Sequence, residues 1–214
     1  MSNKFNDVDW WIIEKYKMIE ELMESKETLE KKYNSLLDSA LENLKEEDWW
    51  NKDFEVVHNR PSTKEEGWIS ISKKTWNRLF PAKEWDEMGL WLESIRFPNL
   101  FVKSLDDEPN AYIHFGPLEK KDVDLEKFTS KFKKYTESLI KNLEQEGYIF
   151  YYEDDPDNKW WPCFYIPGVR SELIKNMKER GTEPLIEKIV ETFNTLAKFI
   201  DPFEKTLKEF NLLK

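Results

Sequence analysis

The 214-residue sequence predicts an α+β fold: an antiparallel sheet packed with helices and framed by long, heptad-patterned helices at its N- and C-terminal ends. Three observations carry that prediction. From Trp10 to about Lys45 there is neither Gly nor Pro, and apolar residues recur every three or four positions. Between Trp49 and about Gly116 the period falls toward two. From Ile186 to Phe210 the alternation of three and four returns without a miss. The expected organisation is a helical arm over residues 1–48 and an α+β domain over 49–214, whose C-terminal helix pairs back on the arm.

In the arm, Ile12, Tyr16, Ile19, Leu22, Leu29, Tyr33, Leu36 and Ala40 form one seam. Lys26 interrupts it at an a-type position, where a buried ammonium is costly, so pairing there is expected to be loose or solvated. A helix of this length reaches roughly 50 Å, longer than a domain of this size is wide, so part of it should protrude.

Strand signals follow at Phe54–Val57, Trp68–Ile71, Gly89–Ile95, Leu100–Val102 and Ala111–Phe115, with a short helix carrying Trp76 between Lys73 and Phe80. The polar stretch from Asp106 to Asn110 is turn chemistry, which makes the last two strands a hairpin or meander. Asp124 is placed to cap a helix beginning at Leu125. Its stripe is Leu125, Phe128, Phe132, Tyr135, Leu139 and Leu143, and Gly147 stops it. A second hairpin is expected from Tyr148–Tyr152 and Trp160–Ile166, joined by Glu153–Asn158. A helix from about Ser171 to Arg180 ends at Gly181. Thr182 then caps the last one, in which Asp201-Pro202 predicts a kink or a fresh start with the apolar phase kept.

The formal charge of −10 repels phosphate backbones at long range and leaves basic protein partners open. One cysteine and two histidines provide neither a disulfide framework nor a zinc ligand set. Residues 1–9 lack the parts of a secretory signal, and no apolar run approaches a membrane span, so a cytoplasmic protein without membrane attachment is expected. No phosphate-binding Gly-rich loop, GxSxG elbow, HExxH or paired-Cys motif occurs. No catalytic residue, metal ligand or cofactor is therefore assigned.

Each candidate site has a plainer reading beside it. Asp154, Asp155 and Asp157 offer oxygen ligands to a hard cation, but they lack EF-hand spacing and read as a solvated turn; Asp106, Asp107 and Glu108 read the same way. His114 and His58 have the chemistry of a general base, yet nothing in sequence pairs either with a nucleophile, and a structural or surface role is preferred. Cys163, between Trp160-Trp161-Pro162 and Phe164, reads as inert core. The tryptophan pairs at 10–11, 49–50 and 160–161 serve core packing first, interface anchoring second and ligand stacking third. Lys127, Lys131, Lys133, Lys134 and Lys141 make a basic stretch that suits a phosphate backbone or, with the glutamates between them, an ordinary solvated helix face.

Trp85, Gly89-Leu90-Trp91-Leu92-Glu93, Phe101-Val102-Lys103, Trp160–Tyr165 and Gly181 before a long helix resemble, in that order, the C-terminal accessory region of PD-(D/E)XK-nuclease-like proteins of bacterial and viral genomes. The acid-x-Lys tripeptides Glu24-Ser25-Lys26 and Glu30-Lys31-Lys32 fall in the helical arm, so no cleavage residue carries over. The resemblance implies a binding or regulatory part without its enzyme.

The expected function is a non-enzymatic, acidic protein-interaction module. A specific form of it is an inhibitor or regulator of a nucleic-acid-handling protein in a phage or defence setting. Its interface is expected to draw on Trp10, Trp11, Trp49, Trp50, Asp154, Asp155 and Asp157. The alternative is a nucleic-acid-binding accessory module with Lys131 and Lys134 on phosphates; a third is a homo-oligomer formed through the N-terminal helix.

Overall fold

A computed structural model describes residues 7–59, 68–80, 87–93, 111–151, 159–165, 168 and 170–213. The run free of Gly and Pro forms one helix, α1 (Asp7–Leu44), about 57 Å long at 1.5 Å per residue. The chain then gives β1 (Phe54–Asn59), β2 (Trp68–Lys73), α2 (Lys74–Leu79), β3 (Gly89–Leu92), β4 (Ala111–His114), a 3₁₀ turn (Gly116–Lys121) and α3 (Leu125–Gln145). After these come β5 (Ile149–Tyr151), β6 (Cys163–Tyr165), α4 (Arg170–Arg180), α5 (Glu183–Ala197) and α6 (Ile200–Glu209). The expected strand at Leu100–Val102 and the turns at 106–110 and 153–158 lie outside the described residues.

The six strands make one antiparallel sheet in the order β1-β2-β3-β4-β6-β5. The first four follow one another as a meander. The β5/β6 hairpin, with Phe150 opposite Phe164, then joins through β6, whose Phe164 lies opposite Ala111 of β4. Period-two alternation sorts the side chains into two faces. Ile69, Ile71, Leu90, Leu92, Ala111, Ile113, Phe150 and Phe164 belong to the main core cluster together with residues of the helices. α5 lies over β3 and β4, α3 approaches β5, and α6 packs along α3. The other face is aromatic: Trp68, Trp91, Tyr112 and Cys163 form a second cluster with Val57 and Trp160. Between the faces β3 must pass close to β2, because a Cβ on Gly89 would sit 2.9 Å from the Ile71 carbonyl oxygen.

Local chemistry explains the helix boundaries. Asp124 is extended, and its carboxylate accepts the Lys127 backbone N–H at 3.0 Å, so it caps α3; Gly147, at φ 96°, takes the left-handed turn that ends it. Two expectations are refined. Thr182 stands at the N-cap position of α5, as expected, but with its backbone already helical (φ −89°, ψ −11°) its hydroxyl makes no capping hydrogen bond. The break in the last helix falls at Lys198–Phe199, where the N–H groups of both residues bond three residues back to Thr195 and Leu196, so α6 starts at Ile200, one residue before the expected Asp201. Pro202 then sits in the first turn of α6, where its missing N–H costs no intrahelical bond. The apolar phase survives the break, and Ile189, Phe193, Leu196, Ile200, Phe203 and Leu207 are all buried.

Candidate protein-interaction surface

At 100° per residue, Trp11, Ile12, Tyr16, Met18, Ile19, Leu22, Met23 and Leu29 occupy the same face of α1, about 160° wide, as Leu36, Leu37, Ala40, Leu41 and Leu44. The two halves of that face differ in what lies on them. From Leu36 onward the side chains are buried, and α5 is the principal element packed there. Before that point Trp11, Ile12, Tyr16, Met18, Leu22, Met23 and Leu29 are 42% to 63% exposed. Exposed large apolar side chains extend from Val8 to Leu29, about 22 residues or roughly 33 Å of one helix face. Trp10 and Ile13 are exposed on the opposite side. Down the middle of the stripe the charged interruptions are Lys15 and Lys26, both exposed and neither in an ion pair among the described residues; Glu30 falls to one side, about 40° around the axis from Lys26.

The foot of the arm is fastened. Trp49 Nε1 donates to Asn194 Oδ1 of α5 at 2.6 Å, and Asn194 Nδ2 donates to Glu47 Oε2 at 2.9 Å. Trp49, Trp50 and Phe54 pack with ring centroids 5.3 to 5.6 Å apart. The expected interface residues therefore fall into three groups. Trp10 and Trp11 lie on the exposed arm, Trp49 and Trp50 are half-buried where the arm meets the domain, and Asp154, Asp155 and Asp157 lie outside the described residues.

The basic stretch of α3 is largely neutralised by neighbours. Lys127 pairs with Asp124 at 2.6 Å, Lys131 with Glu209 at 2.8 Å and Lys141 with Glu137 at 2.8 Å. The Lys127 ammonium holds the Asp124 carboxyl below its usual range, first by hydrogen bonding. Lys133 lies 4.6 Å over the Trp161 ring. A groove of about 400 Å³ beside Trp161 has walls of both signs, from Lys133, Lys134, Lys141, Glu137 and Glu144. Such a surface attracts a phosphate backbone weakly.

His114 is buried on the aromatic face, with Nδ1 2.9 Å from the Glu87 carbonyl oxygen and its ring edge-on to Trp91 at 5.3 Å. Trp68 and Trp91 stack at 4.8 Å, Trp91 and Tyr112 stack at 6.1 Å, and the Tyr112 hydroxyl bonds the Glu93 carboxylate. Cys163 is buried beneath Trp160. Sequence reasoning passed over this row. Its signal was present as aromatic or polar residues at every second position, Trp68-x-Ser70-x-Ser72, Gly89-x-Trp91-x-Glu93 and Tyr112-x-His114. The side chains of the row are too enclosed to offer a docking face.

Among the described residues no helix is long and apolar enough to cross a membrane, and no group of three or more His, Cys, Asp or Glu is arranged to hold a metal ion. No protein-family model, curated protein or solved structure matches this chain. The likeness to nuclease accessory regions thus rests on residues alone. Of those, Gly89–Glu93 cover β3, Trp160–Tyr165 run into β6, and Gly181 separates α4 from α5.

Proposed function

We propose that this chain is a non-enzymatic protein-interaction module that docks on another polypeptide through the exposed half of α1. One observation carries this reading: a single apolar stripe is covered by the domain over its last turns and continues, in phase, into water. Monomeric proteins rarely expose contiguous apolar area on this scale without a use for it. Covering the remaining half or so of the seven exposed side chains returns on the order of 5–10 kcal/mol gross. That is of the same order as the roughly 4–15 kcal/mol that association costs, so polar and charged contacts with the partner must add to it for a specific complex. The neutralised lysine face of α3 supports the protein-binding reading over the nucleic-acid one.

The test is a tagged pull-down from host lysate with the wild-type chain and an Ile12→Glu/Leu22→Glu double variant. Both substituted side chains are exposed, so the domain should fold unchanged. A stoichiometric protein held by wild type and lost from the variant is expected. Equal retention by both would remove the arm from the interface.

A further inference from the structure

The two lysines down the middle of the stripe say what kind of surface fits it. Lys15 and Lys26 are eleven residues apart, which is three turns and about 16 Å, and they lie within about 20° of each other around the axis. Both therefore face whatever covers Ile12, Ile19 and Leu22. A lysine in a helix seam lays its stem on apolar neighbours and needs its ammonium met by water or a carboxylate. A facing lysine is repulsive there.

A second copy of this chain supplies the wrong charge. With two arms parallel and in register, Lys15 meets Lys15 and Lys26 meets Lys26. With two arms antiparallel and the apolar layers aligned, Ile12 opposite Leu29 and Ile19 opposite Leu22, Lys15 meets Lys26. The registers that bury the stripe best therefore stack like charges. The covered end of the stripe shows the type of element it accepts, since α5 lies on it as a helix.

We infer that the occupant is an amphipathic helix of a different protein, apolar along one face and carrying two carboxylates on that face eleven residues apart, an inference that rests on the interaction reading above. The partner helix extends the α1–α5 packing along the arm, and each carboxylate meets one lysine. The lysines then serve selection: they accept an acidic seam and refuse both a basic one and a copy of themselves.

The experiment uses the full chain and two labelled synthetic helical peptides of four heptads with Leu and Ile at the seam. One carries Glu, the other Lys, at two seam positions eleven residues apart. Fluorescence anisotropy at low salt should show the Glu peptide binding roughly tenfold or more tighter than the Lys peptide. A Lys15→Glu/Lys26→Glu variant should reverse the order, and added salt should narrow the gap. Light scattering should give the monomer mass at tens of micromolar. Equal affinity for the two peptides, or binding of neither, overturns the inference. So does a wild-type dimer that Ile12→Glu/Leu22→Glu abolishes, although that result keeps the arm as the interface. Failure of the broader reading shows separately, as lysate capture indifferent to the arm substitutions.

Discussion

Tyr148 shows how one side chain ties the end of α3 to α5 and makes the tie depend on pH. Its hydroxyl lies 2.9 Å from Thr195 Oγ1 and 3.3 Å from Glu191 Oε1. Burial, more than any other cause, pushes the phenol above its ordinary 10.0. The folded state therefore favours the protonated form. The stabilisation is complete below pH 10.0 and is lost as the pH climbs through the higher folded-state value, where the unfolded chain has already released its proton. Denaturant unfolding of wild type and Tyr148→Phe at pH 8 and pH 11 tests this. Wild type should lose more stability between the two than the variant does, and parallel losses would contradict it. A second residue-level tie joins β2 to α6. Lys73 Nζ meets Glu204 Oε1 at 2.7 Å, with both side chains largely enclosed, and Trp76 Nε1 donates to the same oxygen at 3.2 Å. The Lys73 ammonium also lies 5.3 Å over the Phe54 ring.

α1 is one element with two energetic halves. Leu41 is buried against the domain, so Leu41→Ala should cost about 2–4 kcal/mol through lost transfer energy and the cavity left behind. Leu22, 62% exposed, should give Leu22→Ala a change within about 0.5 kcal/mol. Chemical denaturation separates the two, and similar losses would mean that the arm packs along its whole length. This division was hard to read in the sequence because the seam does not change character at Leu36; tertiary packing, not periodicity, decides where burial starts. The elements themselves were legible. Period two marked the strands, and Asp124 and Gly147 bracketed α3 through their own backbone chemistry. The placement of β6 between β4 and β5 was not legible, since strands of three residues carry too little pattern to choose their neighbours. Nor did the tryptophan pairs announce their fates. Trp49 is distinguished by an amide 145 positions away, a partner that no local pattern reveals.

At the scale of the molecule, a covered core and an exposed arm share one helix. Among the described residues, deleting 1–33 removes no side chain of the buried core, so the shortened chain should unfold cooperatively with a midpoint within a few degrees of the full chain's. A loss of 10 °C or more would show that the arm contributes to the fold. The shared helix has another consequence. Starting a helix from coil is the costly step, while adding residues to an existing turn is nearly free. The turns locked by Leu36 to Leu44 provide that start, so the arm propagates from a nucleus that the domain keeps permanently formed. A peptide of residues 7–33 cut away from it would have to nucleate alone and would meet a partner with less helix already formed. The domain thus preorganises its own ligand-like segment, and the ordering entropy of that segment is settled before any encounter.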